Sequence, residues 1–166
     1  MTQPLHPVWP LAVGNGRLLL TPCPGTQAVT LTESLEQLRE AGATGIITLM
    51  SAAELADNQL PDFQEAVAAT GLAWFHLPVP DDDLPGEDFN HAWQASYPQL
   101  LQRLGSGEAL AIHCKGGSGR TGLVAAKLML ATGYDAEQAI VAIQALRPKA
   151  FSHPAQRAYI LNSHDS

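Results

Sequence analysis

His113-Cys114-Lys115-Gly116-Gly117-Ser118-Gly119-Arg120-Thr121 follows a short apolar run, Ala109-Leu110-Ala111-Ile112, and precedes Leu123 to Ala131, a run of helical composition. The apolar run reads as a buried strand and the later run as a helix, so a glycine-rich loop joins them. A turn of this kind gathers backbone N–H groups and a helix N-terminus around one point, which suits an anion. At that point stand a thiol, Cys114, and six positions on a guanidinium, Arg120. A thiol amid positive charge gives up its proton readily. The planar fork of an arginine matches two oxygens of a phosphate. The combination puts a nucleophile at the floor of a phosphate cradle whose walls are Lys115, Gly116, Gly117, Ser118 and Gly119. A nucleotide-binding P-loop is rejected on spacing: it needs Gly-x4-Gly-Lys-Ser/Thr, and here Arg120 stands where that lysine would be.

The remaining chain is consistent with an α/β domain. Its 166 residues, 46% of them hydrophobic, suffice for one domain with a core, taken as residues 1–166. Thr30-x-x-Glu33 and Ser51-x-x-Glu54 read as helix capping boxes, and Asp135 with Gln138 as a third. Gly45 to Met50 and Leu72 to Leu77 read as strands, as do 8–13 and 17–21 around a Gly14-Asn15-Gly16 turn. Strands alternating with helices predict a mainly parallel central sheet of about four to five strands flanked by helices. Phe89, Trp93, Tyr97, Leu100 and Leu104 form a core-facing helical stripe, which Pro98 is expected to kink or split. Thr121 to Thr132 is apolar nearly all round except Lys127 and reads as a buried central helix.

A net charge of −7 argues against nucleic acid as a partner. Yet residues 109 to 157 carry six basic and two acidic residues, so the region of the cradle is locally cationic. Nothing approaches the length of a membrane span, and no membrane partner is expected. The N-terminus lacks a basic region followed by an apolar run, so no secretory signal is read there. A thiolate nucleophile needs reducing surroundings, which predicts a cytoplasmic protein. Cys23, the other cysteine, reads as a small buried hydrophobe. The six histidines are dispersed and form no ligand pattern with cysteine or carboxylates, so neither metal nor cofactor is expected.

Residues 113–121 closely resemble the Cys-x5-Arg signature loop of the protein tyrosine phosphatase superfamily, in its small dual-specificity branch. Pro78-Val79-Pro80-Asp81 is similar to the general-acid loop of the same family. The prolines exclude helix and central strand there, and the loop begins where a predicted parallel strand ends, the edge at which α/β proteins bind ligands. By this resemblance Cys114 is the nucleophile, Arg120 the phosphate clamp and Asp81 the general acid, with Asp82 as second candidate. Thr121 matches the hydroxyl residue that stabilises the thiolate as it leaves. His113 is expected to order the loop through hydrogen bonds rather than to exchange protons. Gln156 matches a recurrent glutamine and is read as packing.

The resemblance implies a monomeric phosphatase that acts on phosphorylated proteins at tyrosine, serine or threonine through a phosphocysteine. Two alternatives remain open. One is a phosphoinositide or small phosphometabolite phosphatase, although Ser118 stands where lipid-cleaving relatives often carry a second lysine. The other is a phosphopeptide-binding module with little catalysis.

Overall fold

The apolar runs on either side of Gly14-Asn15 fold back on each other as β1 (Trp9–Val13) and β2 (Gly16–Thr21), an antiparallel pair in register from Trp9↔Leu20 to Val13↔Gly16. The structure is a computed structural model and describes residues 4–81 and 83–163. After β2, helices and strands alternate: α1 (Leu31–Glu40), β3 (Ala43–Thr48), α2 (Ala52–Asp57), α3 (Phe63–Thr70), β4 (Ala73–His76), α4 (Glu87–Gly105) and β5 (Ala109–His113). Three helices close the chain: α5 (Gly119–Thr132), α6 (Ala136–Leu146) and α7 (Pro154–Leu161). The strands form one sheet in the order β1-β2-β5-β3-β4, parallel except for β1. This is the mainly parallel α/β sheet that the alternation predicts.

Period-two patterning distributes the core over both faces of that sheet. Leu18, Leu20, Leu110, Ile112 and Ile47 point to the face covered by α4, α5 and α6. Leu19, Ala109, Ala111 and Ile46 point to the other face, where Leu35 and Leu38 of α1 and Phe63 and Val67 of α3 pack. β5 lies at the centre with all five residues buried. Its neighbours end level with it, Thr21 and Thr48 both standing opposite His113. The loops after β2, β3 and β5 therefore emerge together at one sheet edge.

Two expectations change. Pro98 does not split its helix, since α4 runs unbroken through nineteen residues. Pro98 and Gln94, whose carbonyl loses its helical partner, both lie on the exposed face, so water can satisfy that carbonyl. β3 starts at Ala43 rather than Gly45, with a register irregularity between them that the apolar run could not reveal.

Candidate active site

The loop from Cys114 to Ser118 is held from three sides. Below it, His113 is fully buried, and burial pushes its imidazole down to about 4 despite the bond to the Cys114 carbonyl. The ring is thus neutral, and its tautomer follows from its partners. Nδ1 lies 3.0 Å from the Cys114 carbonyl, which can only accept, so Nδ1 carries the proton. Nε2 then accepts from the Thr48 hydroxyl at 2.9 Å, and Thr48 in turn receives the indole N–H of Trp74 at 2.8 Å. This chain of donors fixes the first carbonyl of the loop to β3 and β4.

On a second side, Gly117 has φ +80°, and a Cβ there would come within 2.7 Å of the Thr21 carbonyl carbon. Only glycine fits both the left-handed backbone and the close approach to β2. On the third side, Arg147, just beyond α6, donates from Nε to the Gly117 carbonyl at 3.1 Å and from Nη2 to the Gly116 carbonyl at 2.9 Å. Its guanidinium lies 3.8 Å from the centre of the Trp9 ring. Arg147 is a site residue that sequence reasoning missed.

Within this frame the Cys114 sulfur accepts from the Gly117 N–H at 3.3 Å and from the Thr121 hydroxyl at 3.1 Å. Arg120 is 4% exposed. Its Nη1 donates to Glu54 Oε1 at 2.7 Å and to the Val79 carbonyl at 3.1 Å, and its Nη2 donates to Glu54 Oε2 at 2.8 Å. Burial works against the Arg120 charge, but the Glu54 hydrogen bonds and the charges of Cys114, Glu54 and Asp81 raise it net above its ordinary value. Glu54 therefore occupies one edge of the guanidinium. The other edge, Nε–H with the second hydrogen of Nη2, has no hydrogen-bond partner among the described residues, and its two donors match the oxygens of an oxyanion. Glu54, read from sequence as half of a capping box, has its backbone N–H on Ser51 Oγ and its carboxylate on Arg120.

Asp81 is 65% exposed in side chain, and its Oδ1 lies 3.3 Å from Arg120 Nη2. The acid loop is anchored beside it: the Val79 N–H donates to the Leu49 carbonyl at 2.9 Å while its own carbonyl takes Arg120. Asp83 is turned to its own loop, accepting the Leu84 N–H at 2.7 Å. The second candidate acid, Asp82, lies outside the described residues.

Cys114, Lys115, Gly116, Ser118, Gly119, Arg120 and Asp81 line one cavity of about 620 Å³. Gly117, by contrast, is buried behind it against β2. Gln156 also lines the cavity, which corrects its reading as packing. Cys23 is buried, and its N–H donates to the Lys115 carbonyl at 3.0 Å. Burial, then the charges of Cys114 and Glu54, push its thiol up to about 12.

The family model described as a polymorphic toxin system DSP-PTPase phosphatase matches residues 23–134, which contain the acid loop, the cysteine loop and the arginine. The chain belongs to this family. The DSP-PTPase chain is also similar to cyclin-dependent kinase inhibitor 3 of Rattus norvegicus, 29% identical over 114 residues, which cover 68% of this chain and 52% of that protein. It thus spans about half the length of the curated relatives it matches. Its fold is similar to a crystal structure of kinase associated phosphatase with the catalytic cysteine changed to serine. That match has a TM-score of 0.85 at 24% identity and covers 98% of this chain and 95% of the other. PTPMT1 is similar at a TM-score of 0.70 and 20% identity, with 94% of each chain covered.

Proposed function

We propose that this domain is a cysteine-dependent phosphatase that removes phosphate from proteins through a phosphocysteine intermediate. The observation that carries the reading is the Cys114 sulfur receiving two hydrogen-bond donors at the mouth of a loop whose arginine has Glu54 on one edge and, among the described residues, no hydrogen-bond partner on the other. The sulfur attacks phosphorus, forming S–P as the P–O bond to the leaving group breaks. The free edge of Arg120 and the loop N–H groups hold the equatorial oxygens. Asp81 gives its proton to the departing oxygen, and then takes one from the water that attacks the phosphocysteine. The Thr121 hydroxyl, already on the sulfur, receives the charge as the thiolate leaves.

Phosphoproteins are favoured as substrates by the likeness to a cyclin-dependent kinase inhibitor and a kinase associated phosphatase. The family description supports a role in a polymorphic toxin system. We further read the protein as a cytoplasmic monomer. Its nucleophile requires reducing conditions, and the exposed large apolar side chains among the described residues are dispersed along the chain, Leu5 before β1, Val141 on α6 and Leu161 at the end of α7. No helix among the described residues is long and apolar enough to cross a membrane.

The test is hydrolysis of p-nitrophenyl phosphate in EDTA from about pH 5 to 7.5, by wild type and Cys114→Ser, with phosphopeptides and phosphoinositides compared next. Turnover that survives Cys114→Ser refutes the nucleophile. Turnover of lipid headgroups alone refutes the protein substrate.

A further inference from the structure

Each of the first four carbonyls of the cysteine loop has a donor behind it. The Cys114 carbonyl faces His113 Nδ1 at 3.0 Å, and the Lys115 carbonyl accepts the Cys23 N–H at 3.0 Å. The Gly116 and Gly117 carbonyls accept from Arg147 at 2.9 and 3.1 Å. A trans peptide is planar, with C=O and N–H pointing opposite ways, and no peptide bond among the described residues is cis. Drawing these carbonyls away from the cradle therefore turns the N–H groups of Lys115, Gly116, Gly117 and Ser118 toward it. The Gly117 N–H reaches the Cys114 sulfur by this geometry.

Three of the carbonyls are held by side chains, but the Lys115 carbonyl is held by another backbone group. The Cys23 N–H has to be fixed in its turn. The opposite end of its peptide group is the Pro22 carbonyl, which lies 3.0 Å from His6 Nε2. A carbonyl can only accept, so Nε2 carries the proton. His6 is 4% exposed, and its Nδ1 has no hydrogen-bond partner among the described residues. The imidazole thus holds one end of the Pro22–Cys23 peptide while the Lys115 carbonyl holds the other, and two bonds in such a chain polarise each other.

The segment that carries His6, residues 4–8, is tied down on both sides. The His6 N–H donates to Gln37 Oε1 at 2.7 Å, and Gln37 Nε2 donates to the Pro4 carbonyl at 3.0 Å. The buried Thr21 hydroxyl donates to the Pro7 carbonyl at 2.7 Å. On the loop side of the same turn lies Gly117, where a Cβ would meet Thr21 and Pro22 within 3 Å. The turn from Thr21 to Cys23 is thereby clamped between the N-terminal strap and the cysteine loop.

We infer that His6 is a positioning residue for the phosphate cradle: through the Pro22–Cys23 peptide it keeps the Lys115 carbonyl outward and so aims the Gly116 N–H at the phosphoryl oxygens. This role rests on the phosphatase reading above, yet the aim of an N–H is also read by the binding of inorganic phosphate alone.

His6→Leu removes the donor and fills the space, whereas His6→Gln keeps an N–H at about the reach of Nε2. Calorimetric titration with inorganic phosphate should show binding about 5- to 10-fold weaker in His6→Leu, and kcat/KM on a phosphopeptide about 10-fold lower. His6→Gln should recover most of both. A phosphate affinity unchanged in His6→Leu, or lost equally in the two variants, overturns the role and leaves His6 a packing residue. Where His6→Leu does not fold, Gln37→Met frees the strap at the surface and should weaken phosphate binding about 3-fold; an unchanged affinity there overturns the role as well. If wild type binds phosphate but hydrolyses no phosphomonoester, and the loss and recovery still hold, the positioning role stands and the phosphatase reading falls. Wild type that binds no phosphate overturns both.

Discussion

Glu54 grips Arg120 with both carboxylate oxygens, at 2.7 and 2.8 Å, from a helix sixty-six positions earlier in the chain. The pair settles which edge of the guanidinium faces the cradle. Glu54→Ala would leave a buried cation with, among the described residues, only the Val79 carbonyl and an exposed aspartate. Stability should drop by about 2 kcal/mol, and kcat/KM by about 10- to 100-fold as the fork loses its orientation. Inorganic phosphate, which replaces the missing charge, should raise Tm more in the variant than in wild type. Equal phosphate shifts in the two proteins would refute this account.

Arg147 acts on the loop from behind. By drawing the Gly116 and Gly117 carbonyls outward it leaves the neighbouring N–H groups to turn inward, as the Gly117 N–H does toward Cys114. Arg147→Met should lower kcat by about 10- to 100-fold and raise the inhibition constant of inorganic phosphate, while urea unfolding stays cooperative. Arg147→Lys keeps the charge but loses the two-pronged grip, so it should rescue only part of the loss. A variant with lower Tm but unchanged kcat and phosphate inhibition would reduce Arg147 to a packing residue.

What could be read in advance follows from the range of each interaction. The caps at Thr30, Ser51 and Asp135 are local, each side chain receiving an N–H three residues on, so short patterns reveal them. The cysteine loop is equally local and was legible together with its flanking strand and helix. Glu54 and Arg147 reach the site from elements far along the chain, and nothing in their own neighbourhoods signals it. Glu54 was concealed by a pattern that truly is a helix start. Pro98 does not split its helix because a helix stays continuous past a proline where the orphaned carbonyl meets water, which depends on facing rather than sequence.

Histidine burial gives the fold an acid limit. His113 falls from an ordinary 6.5 to about 4, burial being the main cause, and burial also lowers His6. Below pH 6.5 the unfolded chain takes up protons that the native state refuses. Their contribution is therefore complete above pH 6.5 and is lost as pH falls toward 4. For His113 the full loss is about 3 kcal/mol, of which about 2 kcal/mol has gone by pH 5. Urea unfolding at pH 7.5 and pH 5 should reveal it, and His113→Asn should flatten the difference. A wild-type stability unchanged between those pH values would contradict the neutral buried ring.

Asp81 and Asp83 share a loop but differ in geometry. Asp81 is on the cavity beside Arg120, while Asp83 caps the Leu84 N–H within its own loop. Proton donation matters most when the leaving oxygen is a poor leaving group. Asp81→Asn should therefore cost about 100- to 1000-fold in kcat on an alkyl phosphopeptide and far less on p-nitrophenyl phosphate, whose phenoxide departs without help. It should also remove the limb of the pH–rate profile that reports the acid. Asp83→Asn retains an oxygen for the Leu84 N–H and should change either rate by less than about 3-fold. Equal losses on the two substrates for Asp81→Asn would mean that its carboxylate orients Arg120 and donates no proton, and the search for the acid would then move to Asp82.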